Sequence, residues 1–172
     1  MKRIAGLLTL VLALASMALA ADALTKATPL DRLKALEGTW TGTAAWDEGG
    51  QKGTGEVTVV YKVTAAGSAV QEVLFPGTPH EMVTMYHMDG GNLVLTHYCA
   101  AGNQPRMKLQ ESKDPNVLSF SFAGGSNMKE SDRHMHAAKI TLADADHVKG
   151  VWTSVQDGKS VGEASFDLTR KK

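Results

Sequence analysis

The 172-residue chain has a single cysteine, Cys99, so no intrachain disulfide can form. Recognisable catalytic signatures are missing as well. There is no glycine-rich phosphate loop, no serine-centred elbow and no metalloprotease motif. Paired carboxylates suited to acid–base work are not evident, because Asp144/Asp146 and Asp47/Glu48 read as turn residues. No basic run precedes the closing Arg170-Lys171-Lys172, which gives nucleic-acid binding no support. Internal repeats and low-complexity linkers are absent, which argues for one domain. Beyond Gly38 no helical period appears, which excludes helical bundles and alternating α/β folds.

What is present begins with the N-terminus. Met1-Lys2-Arg3 is a short basic start, Ile4 to Leu14 is largely apolar, and Ala18-Leu19-Ala20 is a small-x-small cleavage pattern. This reads as a secretory signal over residues 1–20, since the apolar run is short for a membrane span and Asp22 follows closely. Export to the periplasm or the outside is the expectation, with no stable membrane anchor after cleavage. Residues 21–172 are then the mature domain, long enough for a real core. Without Lys2 and Arg3 it carries 16 basic and 18 acidic residues, a formal charge of −2. A lone thiol in an oxidising compartment persists best when buried.

Pro29 to Glu37 has apolar residues at Leu30, Leu33 and Leu36 and ends at Gly38, which predicts one or two turns of helix. Ten short alternating runs follow, separated by glycine, asparagine and aspartate: 39–46, 54–64, 68–75, the hairpin 80–107 with two strands, 106–111, 117–122, 132–142, 148–155 and 160–170. The polar segment 124–131 reads as a loop. Around the turn Asp89-Gly90-Gly91-Asn92, alternation puts Met82, Thr84, Tyr86 and Met88 on one face with Leu93, Leu95, His97 and Cys99. That face is the more apolar and is assigned inward, leaving His87 outward. The expected fold is all-β: an antiparallel up-and-down barrel of about ten strands with a short N-terminal helix, preferred to a two-sheet sandwich because closure removes exposed edges.

The segment Leu36-Glu37-Gly38-Thr39-Trp40-Thr41-Gly42 resembles the opening of lipocalin-like (calycin) barrels, where a short helix leads into Gly-x-Trp. The resemblance implies that Trp40 closes the barrel floor and that Arg170, near the end of the last strand, packs across its ring. The overall look is that of small exported bacterial lipocalin-like families whose function is mostly unassigned. The resemblance also implies binding of a small apolar molecule in the barrel mouth, a few such barrels being enzymes. Haem-binding ten-stranded barrels of the nitrobindin kind are a related comparison, but their haem-ligand motif has no counterpart in this C-terminal strand, which contains no histidine.

The candidate ligand-contacting residues are Tyr61, Met82, Tyr86, Leu95, His97, Cys99, Arg106, Met107, Phe120, Phe122, His134 and His136. Tyr61, Tyr86, Leu95, Phe120 and Phe122 are expected to cover an apolar body, while His97 or Arg106 fixes a polar end. His134 and His136 share a strand face with the apolar series Ala138, Ile140 and Leu142, so His97, His134 and His136 form the alternative: a zinc, copper or haem site. Against it stands the blander case of a solvated or hydrogen-bonded histidine pair. A second alternative is an enzyme with His97 and Tyr86 as acid and base. His97 beside Cys99 is also a conceivable base and nucleophile, but no third group orients the histidine, and a buried structural thiol is preferred. No catalytic residue is assigned, and carriage is preferred to catalysis.

Overall fold

The computed structural model describes residues 27–172, so the expected signal over 1–20 and its cleavage point lie outside the described residues. Thr28 starts the first helix with a reciprocal cap. Its hydroxyl accepts from the Asp31 amide at 3.2 Å, and the Asp31 carboxylate accepts from the Thr28 amide at 3.2 Å. The helix so started, α1 (Pro29–Lys34), has the one to two turns that the apolar spacing predicts. After Lys34 the chain tightens, with the Leu36 amide donating to the Leu33 carbonyl at 3.0 Å. Leu30, Leu33 and Leu36 are all buried, so the helix plugs one end of the sheet that follows.

Ten strands follow: β1 (Gly38–Glu48), β2 (Gln51–Thr64), β3 (Ala69–Leu74), β4 (Met82–Asp89), β5 (Asn92–Tyr98), β6 (Gln104–Gln110), β7 (Val117–Ser126), β8 (His134–Leu142), β9 (His147–Gln156) and β10 (Lys159–Arg170). Each pairs antiparallel with its sequence neighbour, and β1 pairs with β10 from Trp40↔Arg170 to Glu48↔Gly162, closing the barrel. The main difference from the sequence expectation is at 124–131, where β7 continues to Ser126 before the chain turns.

Period-two alternation explains the inner face. In the central hairpin Thr84, Tyr86, Leu93, Leu95 and His97 are buried and His87 is exposed. Of the two turn glycines only Gly90 takes a positive φ, 58°. Closure also imposes a local demand at Gly42, where a Cβ would lie 1.9 Å from the Asp167 carbonyl oxygen.

The closed end is tied by Arg170. Its guanidinium carbon lies 4.3 Å from the Trp40 ring centroid. Its nitrogens donate to the carbonyls of Ala35 at 2.8 Å, Glu37 at 2.8 Å and Ala145 at 3.0 Å. Trp40 in turn donates through Nε1 to the Leu36 carbonyl at 2.8 Å. One side chain thus joins the helix exit, the start of β1 and the β8–β9 turn. The opposite end is open, ringed by the β1–β2 turn and the loops after β3, β5 and β7.

Candidate ligand cavity at the open end of the barrel

A cavity of about 830 Å³ occupies the open half of the barrel. Its wall is mainly apolar, with Leu74, Phe75, Met82, Trp152 and Phe166 providing bulk and Ala44 and Ala164 leaving room. Large residues on facing strands would fill this volume, so the two alanines are as important to it as the aromatics. Phe75 leaves β3 with φ 54°, a conformation costing a non-glycine residue roughly 1–2 kcal/mol, and its ring lies 6.1 Å from that of Phe166. At the rim the Arg133 guanidinium pairs with the Glu48 carboxylate, and Trp46 lies over Gly53.

Below the cavity is a buried polar chain. Glu72 accepts from the Tyr61 hydroxyl through Oε1 at 2.7 Å and from the Tyr86 hydroxyl through Oε2 at 2.7 Å. Thr84 stands opposite Glu72 in the strand pairing, and its hydroxyl lies 3.0 Å from His97 Nδ1. Burial raises the Glu72 carboxyl above its ordinary range while the three hydroxyls oppose that shift. Burial, followed by the charge of Glu72, pushes both tyrosines well up. His97 is pushed the other way: removal from water brings it down to about 4, so it is a neutral imidazole at physiological pH. Its ring lies 4.7 Å from that of Trp152, tilted by 40°. His97 Nε2 and Ser154 Oγ, both on side chains that line the cavity, are buried with no hydrogen-bond partner.

Of the residues singled out from the sequence, Met82, His97, Cys99 and His134 line this cavity. Tyr61, Tyr86, Leu95, Met107 and Phe120 point inward but lie outside the cavity lining, within the packed core. Tyr86 therefore belongs to the Glu72 cluster rather than to an acid–base pair facing a ligand. Arg106 is exposed and pairs with Thr96 on the outer face, which removes it as an internal anchor for a polar group. The reason is alternation along β6, since Pro105 and Met107 on either side of Arg106 are buried.

A second register shift, between Met135 and Ala137, separates the two histidines of β8. His134 stays buried at the cavity edge, whereas His136 is half-buried and stacks on Phe122 with centroids 5.0 Å apart. His134 Nδ1 lies 2.7 Å from the Asp132 carbonyl, so it carries the proton and donates it. Its Nε2 then accepts from His136 Nδ1 at 3.0 Å. Both nitrogens of His134 are consumed in this pairing. Among the described residues no group of three or more His, Cys, Asp or Glu side chains is placed to hold a metal ion. His97, His134 and His136 are not brought together as one ligand set. Cys99 is half-buried at the cavity, and Thr84, rather than a carboxylate, holds the adjacent His97.

Glu72, Trp152 and Ser154 were not among the candidates. Glu72 was legible in principle: it stands between Val70 and Leu74 on an alternating strand, a carboxylate on an inward face. Trp152 and Ser154 likewise share one parity of β9.

No family model matches this chain, and no curated protein matches it. Several solved structures are similar, and two of them show the degree of likeness. One is a protein of unknown function from the DUF3598 family of Nostoc punctiforme, with a TM-score of 0.57 and 13% identity over 81% of this chain and 48% of that one. The other is Rv2717c from M. tuberculosis, with a TM-score of 0.57 and 16% identity over 84% of this chain and 99% of that one. This chain thus spans about half the length of the Nostoc protein. At these identities the likeness is one of fold.

Proposed function

We propose that this protein is an exported lipocalin-like barrel that holds a small, mostly apolar molecule in the cavity at its open end. One observation carries the reading: a closed barrel, packed solid at the helix-plugged end, keeps about 830 Å³ free behind an apolar wall at the other. Volumes of this size suit drug-sized ligands, which such pockets enclose over most of their surface. Buried apolar area contributes about 25 cal/mol per Å², enough for useful retention after the costs of association. The export part of the reading rests on Met1-Lys2-Arg3, the apolar run to Leu14 and Ala18-Leu19-Ala20.

Phe75, Met82, Trp152 and Phe166 would cover the ligand body, with His97 at its polar end. Titration with the apolar dye N-phenylnaphthylamine tests this. The dye should brighten on binding the protein, and Ala164→Phe, which fills the cavity, should abolish the signal while leaving the β-sheet circular dichroism unchanged. His97→Ala should weaken retention and His87→Ala should not. A protein that leaves the dye dark, or an Ala164→Phe variant that binds as well, would sink the proposal.

A further inference from the structure

The outer face of β2–β6 has a composition of its own. Val59, Leu74, Thr84 and His97 are buried, so their chain neighbours Val60, Val73, Val83 and Tyr98 face outward. The strand registers set these four opposite one another as a single apolar row across β2–β5. The three valines are half-buried among their neighbours, whereas Tyr98 is 49% exposed. The row begins at the mouth of the barrel, because Met82 and Cys99, adjoining Val83 and Tyr98 in the chain, line the cavity. Two further outward rows run beside it, from Lys62 to Arg106 through Met85 and from Thr64 to Lys108 through Val94. None of the three rows contains an aspartate or glutamate, although the chain has 18 acidic and 18 basic residues. Lys62, Arg106 and Lys108 are exposed, and none of them is in an ion pair among the described residues.

Three unpaired cations beside an apolar, aromatic strip fit a partner that offers anions and apolar depth together. We propose that this face docks on an anionic phospholipid bilayer, with Lys62, Arg106 and Lys108 against lipid phosphates and Tyr98 at the headgroup boundary. A tyrosine suits that depth, since its ring is apolar and its hydroxyl stays wet. A second copy of the chain fits the face less well. A two-fold contact sets the patch on itself, bringing three cations from each side with no carboxylate in the patch to pair them. Docking here also brings the open end of the barrel close to the bilayer, which shortens the aqueous path of an apolar molecule to the cavity. Each basic side chain near such a surface changes partitioning about fivefold, so the three together are worth about a hundredfold, less as salt screens them.

Sedimentation with vesicles tests the proposal. The protein should bind mixed phosphatidylcholine–phosphatidylglycerol vesicles more tightly than phosphatidylcholine alone, and added salt should weaken the difference. Reversing all three cations (Lys62→Glu, Arg106→Glu and Lys108→Glu) should lower binding to the mixed vesicles at least about a hundredfold. Reversing three exposed lysines elsewhere (Lys129→Glu, Lys139→Glu and Lys159→Glu) changes net charge by the same amount and should leave most of the binding. Tyr98→Ala should weaken binding severalfold, with the β-sheet circular dichroism of every variant unchanged. Ala164→Phe, which fills the cavity, should bind vesicles like the wild type, so the docking face and the ligand reading stand or fall separately. No preference for phosphatidylglycerol, or equal losses from the two triple reversals, would overturn the proposal. A protein that ignores the vesicles and sediments as a dimer, made monomeric by Tyr98→Ala, would overturn it too and give the face to a second copy.

Discussion

Removing His97 should change how stability depends on pH. An imidazole in the unfolded chain takes up its proton around pH 6.5, whereas burial brings His97 in the folded protein down to about 4. Between these values the unfolded state binds a proton that the folded state refuses. The contribution of this group to stability is therefore fully present above the unfolded value and is lost as pH falls toward 4. The gap of about 2.5 pH units corresponds to about 3 kcal/mol at about 1.4 kcal/mol per unit. In His97→Phe the phenyl ring keeps the contact with Trp152 and cannot titrate. Glu72 works in the opposite sense, since burial raises its carboxyl and its contribution declines as pH rises. It is present in both proteins and largely cancels in the difference. Urea unfolding followed by tryptophan fluorescence should thus show the stability difference between the two proteins shrinking by about 3 kcal/mol from about pH 7 to about pH 4. Curves that stay parallel over that range, or an imidazole of His97 that titrates in the ordinary range by NMR, would refute the burial argument.

Three further outcomes follow from the same packing. Tyr61→Phe and Tyr86→Phe should each cost about 1–3 kcal/mol in denaturant melts. The double variant should depart from additivity by at least about 0.5 kcal/mol, because both hydroxyls share Glu72. Arg170→Met, which deletes three carbonyl contacts and the stacking on Trp40, should lose about 2–4 kcal/mol, with Arg170→Lys recovering only part of it. Gly42→Ala should lower the melting temperature sharply, since its Cβ meets the Asp167 carbonyl, while Gly91→Ala, facing open space, should melt like the wild type.

The scaffold was legible because strand signals are local. Alternation of Val57, Val59 and Tyr61, or of Leu93, Leu95 and His97, marks an inward face whatever lies opposite it. The turn residues between runs then set the order of ten strands, and closure into a barrel follows from the exposed edges an open sheet would leave. The contact of Arg170 with Trp40 was implied by the resemblance of the segment around Gly38 to lipocalin-like openings and not by strand pattern.

The candidate site was only partly legible, for a physical reason visible in particular residues. Parity places Phe120 and Met107 inward just as it places Met82 and His97, yet the first two are packed in the core and the second two line the cavity. What separates them is how much side-chain volume the facing strands supply, a sum over residues distant in sequence such as Ala44, Ala164 and Phe166. The register shift at His136 defeats parity, because one extra residue turns a side chain away without altering composition. The sequence by itself determined the strands and their inward faces, products of nearest-neighbour chemistry, and favoured a closed barrel over a two-sheet sandwich. Only the tertiary structure decided where the barrel stays hollow, and that Glu72, Thr84 and His97 meet beneath the hollow, because those outcomes depend on three-dimensional packing across the barrel.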